Sequence, residues 1–243
     1  MTPAFLAFSD LDDTLFQTQA KCPPDADLAL AAHHTVAARQ SYTTGPQRQL
    51  MDFLQAAGGC LIPVTGRTPA AVARVQLPFA AEVICDHGAT ILEPDGQVSA
   101  EWAAHIQTLL ANGAVLQVQA ALGTLAAQHG CTLSTHEVDR AAYMHVLKHP
   151  QRGDLRAAYH AVRALGLPGL TVIANPSHIS LLHAGVTKAA AVAFVRARYP
   201  AHLLTLGLGD SLSDLPFMRT CQFWLTPTGT QLDRALDPNG AHL

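Results

Sequence analysis

Four polar stretches carry the residue types that phosphoryl chemistry requires: Asp10-Leu11-Asp12-Asp13-Thr14, Thr65-Gly66-Arg67, Lys188, and Gly209-Asp210-Ser211-Leu212-Ser213-Asp214. Asp10 and Asp12 are two residues apart, so in an extended segment their carboxylates face one side. Two carboxylates so placed repel unless a cation holds one or a proton neutralises the other. That separates their roles: Asp10, metal-bound and ionised, attacks phosphorus, while Asp12 passes a proton to the leaving oxygen. Asp210 and the backbone carbonyl of Asp12 would add the oxygen ligands that Mg²⁺ prefers. Thr65 offers a hydroxyl and backbone N–H groups at a helix opening, where a phosphate is well received. Together these groups are the equipment for Mg²⁺-assisted phosphoryl transfer through an aspartyl-phosphate.

Each stretch also has an ordinary structural reading. Asp-x-Asp alone makes an acidic turn, and Thr-Gly alone makes a strand-to-helix turn. Arg67 fits a phosphate contact and a surface ion pair equally. Ser211 and Asp214 match a capping box before the apolar Leu215, Phe217 and Met218. Lys188 is more telling, being one of three lysines (Lys21, Lys148, Lys188) in the chain. It opens a predicted helix, where the macrodipole disfavours a cation, and so calls for an anionic partner.

The elements in front of these residues give them their value. Ala4–Ser9, Cys60–Val64, Glu82–Cys85, Ile179–Leu182, Leu203–Leu206 and Gln222–Leu225 read as strands. Apolar spacing predicts a helix over Pro46–Ala57, stopped by Gly58-Gly59, and Thr68-Pro69 opens another over Ala70–Val75. Helices over Lys188–Tyr199 and Ser211–Met218 complete a doubly wound rhythm; residues 22–44 resist assignment. In the middle of the chain the pattern changes. A hairpin about Glu93-Pro94-Asp95-Gly96 precedes a helical stretch from Glu101 to His129, broken near Asn112-Gly113. Strand-like runs follow at Cys131–Thr135, Ala142–Leu147 and Leu170–Ala174, with a helix near Leu155–Leu165. The expected fold is therefore α/β, a doubly wound, mostly parallel, Rossmann-like sheet over residues 1–89 and 181–243. An α+β insert occupies residues 90–180. In such a sheet, strand ends that share an edge converge on one crevice.

Bulk properties narrow the function classes. Hydrophobic residues make up 49% of the 243 positions, enough for a sizeable core, and charged residues 14%. A formal net charge of −3 gives no basic footprint, which argues against nucleic acid as the partner. Five scattered cysteines without a Cys-x-x-Cys pair read as reduced core thiols of a cytoplasmic protein. No apolar run has the length of a membrane span, and no signal peptide is recognisable at the start.

In their order, these motifs resemble those of the haloacid dehalogenase superfamily of phosphohydrolases: Asp-x-Asp-x-Thr, Ser/Thr, Lys and Gly-Asp-x-x-x-Asp. The insert between the second and third motifs is similar in position to the cap of the sugar-phosphatase-like branch, which includes Cof-type, sucrose-phosphate and mannosylphosphoglycerate phosphatases. The resemblance implies that Asp10 is the nucleophile and Asp12 the general acid/base, with Thr65, Gly66 and Lys188 holding phosphate. It implies that Asp210 binds Mg²⁺ and that Asp214 does so directly or from just behind. The insert would select the substrate, a small phosphorylated metabolite and, as the resemblance implies, a sugar phosphate; Arg67, His87, Lys148 and Arg152 are the candidate selecting residues. Arg140, His145, His149 and Arg156 add to the basic character of the insert. Two departures stand out: His87-Gly88-Ala89 replaces the family's Asn-Gly-Ala, and Trp224–Thr228 lacks a small-residue turn. The motifs leave a phosphomutase or phosphotransferase open beside the phosphatase, and below both a non-catalytic binding protein on the same scaffold. They do not give the oligomeric state.

Overall fold

The computed structural model describes residues 2–35, 40–150, 155–175 and 178–236. Strand β1 (Phe5–Ser9) is followed by β2 (Gln17–Thr18), β3 (Leu28–His33), β4 (Gln40–Thr44), helix α1 (Gly45–Ala56), β5 (Gly59–Pro63), α2 (Pro69–Val72), β6 (Val83–Cys85) and β7 (Thr90–Leu92). Next come α3 (Ala100–Leu110), α4 (Ala114–Gln117), α5 (Gln119–Gln128), β8 (Thr132–Val138), β9 (Ala141–Lys148), α6 (Arg156–Ala164), β10 (Leu170–Asn175) and β11 (His178–His183). Then follow α7 (Lys188–Arg196), β12 (Leu204–Leu208), α8 (Leu215–Met218), β13 (Phe223–Leu225) and α9 (Gln231–Leu236). The chain divides into two compact units, Met1–Ser99 with Lys188–Leu243, and Ala100–Thr187.

The first unit is built on a parallel sheet in the order β13-β12-β1-β5. Every residue of β1 is buried, as an inner parallel strand covered on both faces requires. On one face Phe5, Ala7 and Leu208 pack with Leu54 of α1. On the other, Gly207 of β12 lies against Met218 of α8, so closely that a β-carbon would come within 2.8 Å of the Met218 Cα. The doubly wound α/β reading is thus observed. Pro63 is tolerated because the pairing with β1 passes through its neighbour, the Val64 N–H donating to Ser9 O at 2.7 Å.

Several expectations are corrected. Residues 22–44, unassigned from sequence, contribute to an antiparallel sheet, β2-β4-β3. Helix α2 stops at Val72, short of Val75. There Val75 bridges Ala32, and the Gln76 N–H donates to Ala31 O at 2.7 Å, so strand pairing with β3 replaces the helical ladder. The predicted hairpin exists as a bridge between Leu92 and Val98, but β7 takes its main pairing from β6. Residues 90–99 accordingly belong to the first unit, and the second runs on to Thr187.

The second unit is an antiparallel sheet, β10-β11-β9-β8, with Leu122, Leu125, Ala158 and Val162 of α5 and α6 packed on Leu147, Ile179 and Leu181. Ile179–Leu182, expected in the doubly wound core, is the inner part of β11 and pairs with β10 and β9 instead. The break between α3 and α4 is as expected: Gly113 has φ 63°, and Asn112 Oδ1 accepts the Ala114 N–H at 3.0 Å. His145 is buried and not part of a solvated basic face, its ring bonded to Thr135 Oγ1 and Val115 O. Cys85 and Cys221 are buried, whereas Cys22, Cys60 and Cys131 are only half-buried, so three of the five thiols are not core residues; all five are free. Among the described residues no single helix is long and apolar enough to cross a membrane.

Candidate active site

Because β1, β5 and β12 run parallel and in register, with Ser9 opposite both Pro63 and Leu208, their C-terminal ends lie on one edge. Asp10 follows β1, Thr65 follows β5 by two residues, and Gly209-Asp210 follow β12. The Asp10 N–H donates to Leu208 O at 2.9 Å, tying the first and fourth motifs at the backbone.

Helix α7 brings Lys188 to this edge as its first residue. Its ammonium donates to Asp10 Oδ1 and Asp214 Oδ1, each at 2.6 Å. The anionic partner that its place in the helix demanded is therefore a pair of buried carboxylates. Burial opposes the Lys188 charge, but Asp10 and Asp214 outweigh it and hold its pKa above the usual lysine value. Burial likewise raises Asp214, yet Lys188 and the Ser211 donors bring it below the ordinary carboxylate range. Asp10 goes the other way. Burial pushes it well up, the Asp214 and Asp12 charges add to that, and Lys188 only partly offsets them.

Asp214 also accepts from the Ser211 N–H and hydroxyl through Oδ2, at 3.1 and 2.7 Å. The predicted capping pair is thus present, but not as the start of a long helix: α8 begins only at Leu215, and Asp214 is its N-cap. Gly209 has a steric reason to lack a side chain, since a β-carbon there would sit 2.6 Å from Asp214 Cβ and 2.7 Å from Met218 Sδ. Gly209→Ala is expected to cost about 1–3 kcal/mol by overpacking and to displace Asp214; denaturant unfolding with and without Mg²⁺ checks both.

Oxygens of Asp10, Asp210 and Asp214 all lie within 4.8 Å of one another. Three carboxylates face one ammonium, so the cluster carries excess negative charge. Asp210 shows the strain: burial first, then Asp214 and Asp13, push its pKa up to about 7. All-oxygen, anionic and compact, this donor set fits a hard divalent cation. Such an ion should raise the melting temperature by roughly 5–10 °C at a hundred times its Kd. The rise should be larger at pH 8 than at pH 6, because at the lower pH the ion must displace a proton from Asp210. Thermal melts in Mg²⁺ and in EDTA at the two pH values test this.

Other predicted residues are placed less simply. Thr65 is buried, but its N–H is engaged by Ile84 O at 2.8 Å and its hydroxyl accepts the Arg67 N–H at 3.1 Å. The helix opening lies farther on, at Thr68, whose side chain accepts from the Ala71 N–H. Arg67 does not stand free for substrate. Its guanidinium grips both oxygens of Asp12 at 2.7 Å each and lies over the Phe16 ring, 4.9 Å from its centroid. The sequence reading missed Phe16; an aromatic two positions after Thr14 was the only signal available. His87 lies against Gly66 in the first unit. Lys148 ends β9 in the second unit, exposed. Arg152 lies outside the described residues.

No protein-family model and no curated protein matches the chain in sequence. Solved structures match its shape over nearly its whole length. The sucrose-phosphatase of Synechocystis, in complex with sucrose and phosphate, superposes with a TM-score of 0.58 at 15% identity, covering 97% of this chain and 96% of that one. A haloacid dehalogenase-like hydrolase from B. subtilis gives 0.58 at 13% identity, with 96% and 93% covered. The chain has the haloacid dehalogenase-like hydrolase fold. The C-terminal domain of trehalose-6-phosphate phosphatase from C. albicans shares that fold, with a TM-score of 0.56 at 14% identity over 88% of this chain and 73% of the other. In a haloacid dehalogenase-like fold the edge bearing Asp10, Lys188, Asp210 and Asp214 is the C-terminal edge of the parallel sheet, where α/β proteins bind ligands.

Proposed function

We propose that this protein is a Mg²⁺-dependent phosphatase that hydrolyses a small phosphorylated metabolite, a sugar phosphate, through an aspartyl-phosphate. The observation that carries this reading is the buried Asp10–Lys188–Asp214 array with Asp210 beside it, at the end of β1. The sugar ester is supported by the substrates named for the sucrose- and trehalose-phosphate phosphatases that share the fold. The second unit, Ala100–Thr187, is assigned to substrate selection, and five free thiols support a cytoplasmic setting.

Asp10, Asp210, Asp214 and the Asp12 carbonyl would hold the cation, which when bound offsets the negative charge of the cluster and of the phosphoryl oxygens. A carboxylate oxygen of Asp10 forms a bond to phosphorus as the ester P–O bond breaks. For this step Asp12 would leave the Arg67 grip, in which both of its oxygens accept, and in its protonated form act as general acid to the departing alkoxide; it then takes a proton from the water that cleaves the acyl-phosphate, which restores the one it gave. Lys188 holds Asp10 in place throughout, and Thr65 with Gly66 receives the phosphoryl group. In the resting site Arg67, 55 residues away in sequence, grips both oxygens of Asp12 and holds it as an oriented carboxylate.

The test is phosphate release from a panel of sugar phosphates, nucleotides and other phosphate monoesters, with Mg²⁺ and with EDTA. Metal-dependent release is expected, with sugar phosphates preferred. Isomerised product without released phosphate would instead establish a phosphomutase.

A further inference from the structure

In-register neighbours of a parallel sheet point to the same side, and alternate residues of a strand do so too. Phe5 and Ala7 of β1 therefore share a face with Leu204 and Leu206 of β12, and Leu206 and Leu208 share it with Phe223 and Leu225 of β13. Leu50 and Leu54 of α1 cover the β1 end of that face, packing with Phe5, Ala7, Leu61, Leu206 and Leu208. Towards the β13 edge the cover runs out: Leu204 is 38% exposed, Leu225 41% and Phe223 62%. Helix α1 adds one more apolar side chain to this margin. Met51, on one flank, packs into the cluster of Leu11, Phe16 and Ala31 together with Leu61 of β5. Phe53 stands about 200° further round the helix, on the flank towards β12, and is 68% exposed.

Parallel sheets are ordinarily covered on both faces, so four large apolar side chains left open at one end of such a sheet call for a partner. Leu206, half-buried beside Phe223, joins them into one patch. The edge is also unguarded: Gln222-Phe223-Trp224-Leu225-Thr226 has none of the charges or prolines that keep an edge strand solitary. At roughly 200 Å² for an aromatic side chain, the open area is about 400 Å² per copy. Homodimer interfaces are about 65% apolar, so the patch corresponds to a contact of roughly 1,200 Å² in total, the lower bound for a stable pair. A two-fold axis sets one such patch on another, and each copy then supplies as much apolar surface as it covers. Residues 237–243, Asp-Pro-Asn-Gly-Ala-His-Leu, lie outside the described residues and hold a single large apolar side chain, Leu243, against the four to be covered.

We propose that this protein forms a homodimer through the β12–β13 end of its parallel sheet, Phe53, Leu204, Phe223 and Leu225 of one copy packing on the same residues of a second. The pairing is independent of the phosphatase reading, since none of the four side chains belongs to the candidate active site. Sedimentation velocity of the full chain tests it across about 1–100 µM, the range in which a modest interface associates. Wild type is expected to pass from monomer to dimer, with a melting temperature that rises with concentration. Phe53→Glu and Phe223→Glu each place a charge in the patch and should weaken association at least roughly 10-fold. Both side chains are mostly exposed in a single copy, so the dilute variants should melt with dilute wild type. Leu165→Glu, at a 42% exposed side chain in the second unit, should leave association unchanged. A wild type that stays monomeric throughout overturns the proposal, as does a dimer indifferent to both phenylalanine variants. Trp224 alternates to the opposite face, beside Gly207. A dimer broken by Trp224→Glu but not by Phe53→Glu would be an edge-to-edge pair, and would overturn the face contact.

Discussion

Asp10→Asn is expected to lower phosphate release by roughly 10⁴- to 10⁶-fold, the scale seen when a nucleophile is removed from an intact site. An amide oxygen does not form the phosphoryl bond, yet it is nearly the same size as the carboxylate and still accepts from the Lys188 ammonium. Burial already pushes Asp10 towards its neutral form, so exchanging it for a neutral isostere also relieves a desolvation cost. Lys188 keeps Asp214 as its charged partner. Melting temperature should therefore change by only a few degrees while turnover disappears. Turnover close to wild type would refute the nucleophile assignment, and global unfolding would show that Asp10 is chiefly a structural counter-ion.

Lys188→Met is expected to damage both activity and stability. Asp10 and Asp214 are each within 2.6 Å of its ammonium, and no other cation is within ion-pair reach of either among the described residues. Breaking a buried ion pair by removing one partner costs about 3–5 kcal/mol, a fall of roughly 6–20 °C for a chain of this size. The pH dependence has a definite sign. Asp214 is held below its unfolded value of 3.8, so its share of stability is present above that value and lost as pH falls through the folded pKa. In the variant the share is absent, so the gap to wild type should be widest near neutrality and narrow in acid. Saturating Mg²⁺ should return part of the loss, because the cation meets the same carboxylates. Melts across pH, with and without Mg²⁺, read all three effects; a variant as stable as wild type at pH 8 would show that the array is not a strongly coupled ion cluster.

The site was legible wherever chemistry followed an uninterrupted apolar run. Phe5–Ser9 before Asp10 and Leu203–Leu206 before Gly209-Asp210 gave strand, edge and polarity at once, and the position of Lys188 asked for the carboxylates it has. What stayed hidden depended on partners far away in the chain. Ile179–Leu182 reads as a buried strand in any sheet, and only its pairing with Ala141–Lys148 places it in the second unit. Leu28–His33 is apolar at nearly every position and pairs with the polar Gln40–Thr44, so neither strand shows the alternation of a half-buried sheet. The Arg67 grip on Asp12 spans 55 residues, and no local pattern announces it. His87 gave only its departure from a family turn; its left-handed backbone and its seat against Gly66 are tertiary facts.

The sheet order has a consequence for the birth of the protein. Strand β1 is made first, yet one of its two neighbours, β12, begins at Leu204, about two hundred residues later. Contacts of such sequence separation slow folding, since a long loop must close before any pairing rewards it. During synthesis the local antiparallel meander of β8–β11 has all its partners within reach, while Phe5–Ser9 waits as an apolar edge with one side unpaired. Chains released before about residue 214 would hold Asp10 without its lysine-bridged counterpart, Asp214. The interval between those two events is when this polypeptide is most exposed to aggregation and most in need of a chaperone.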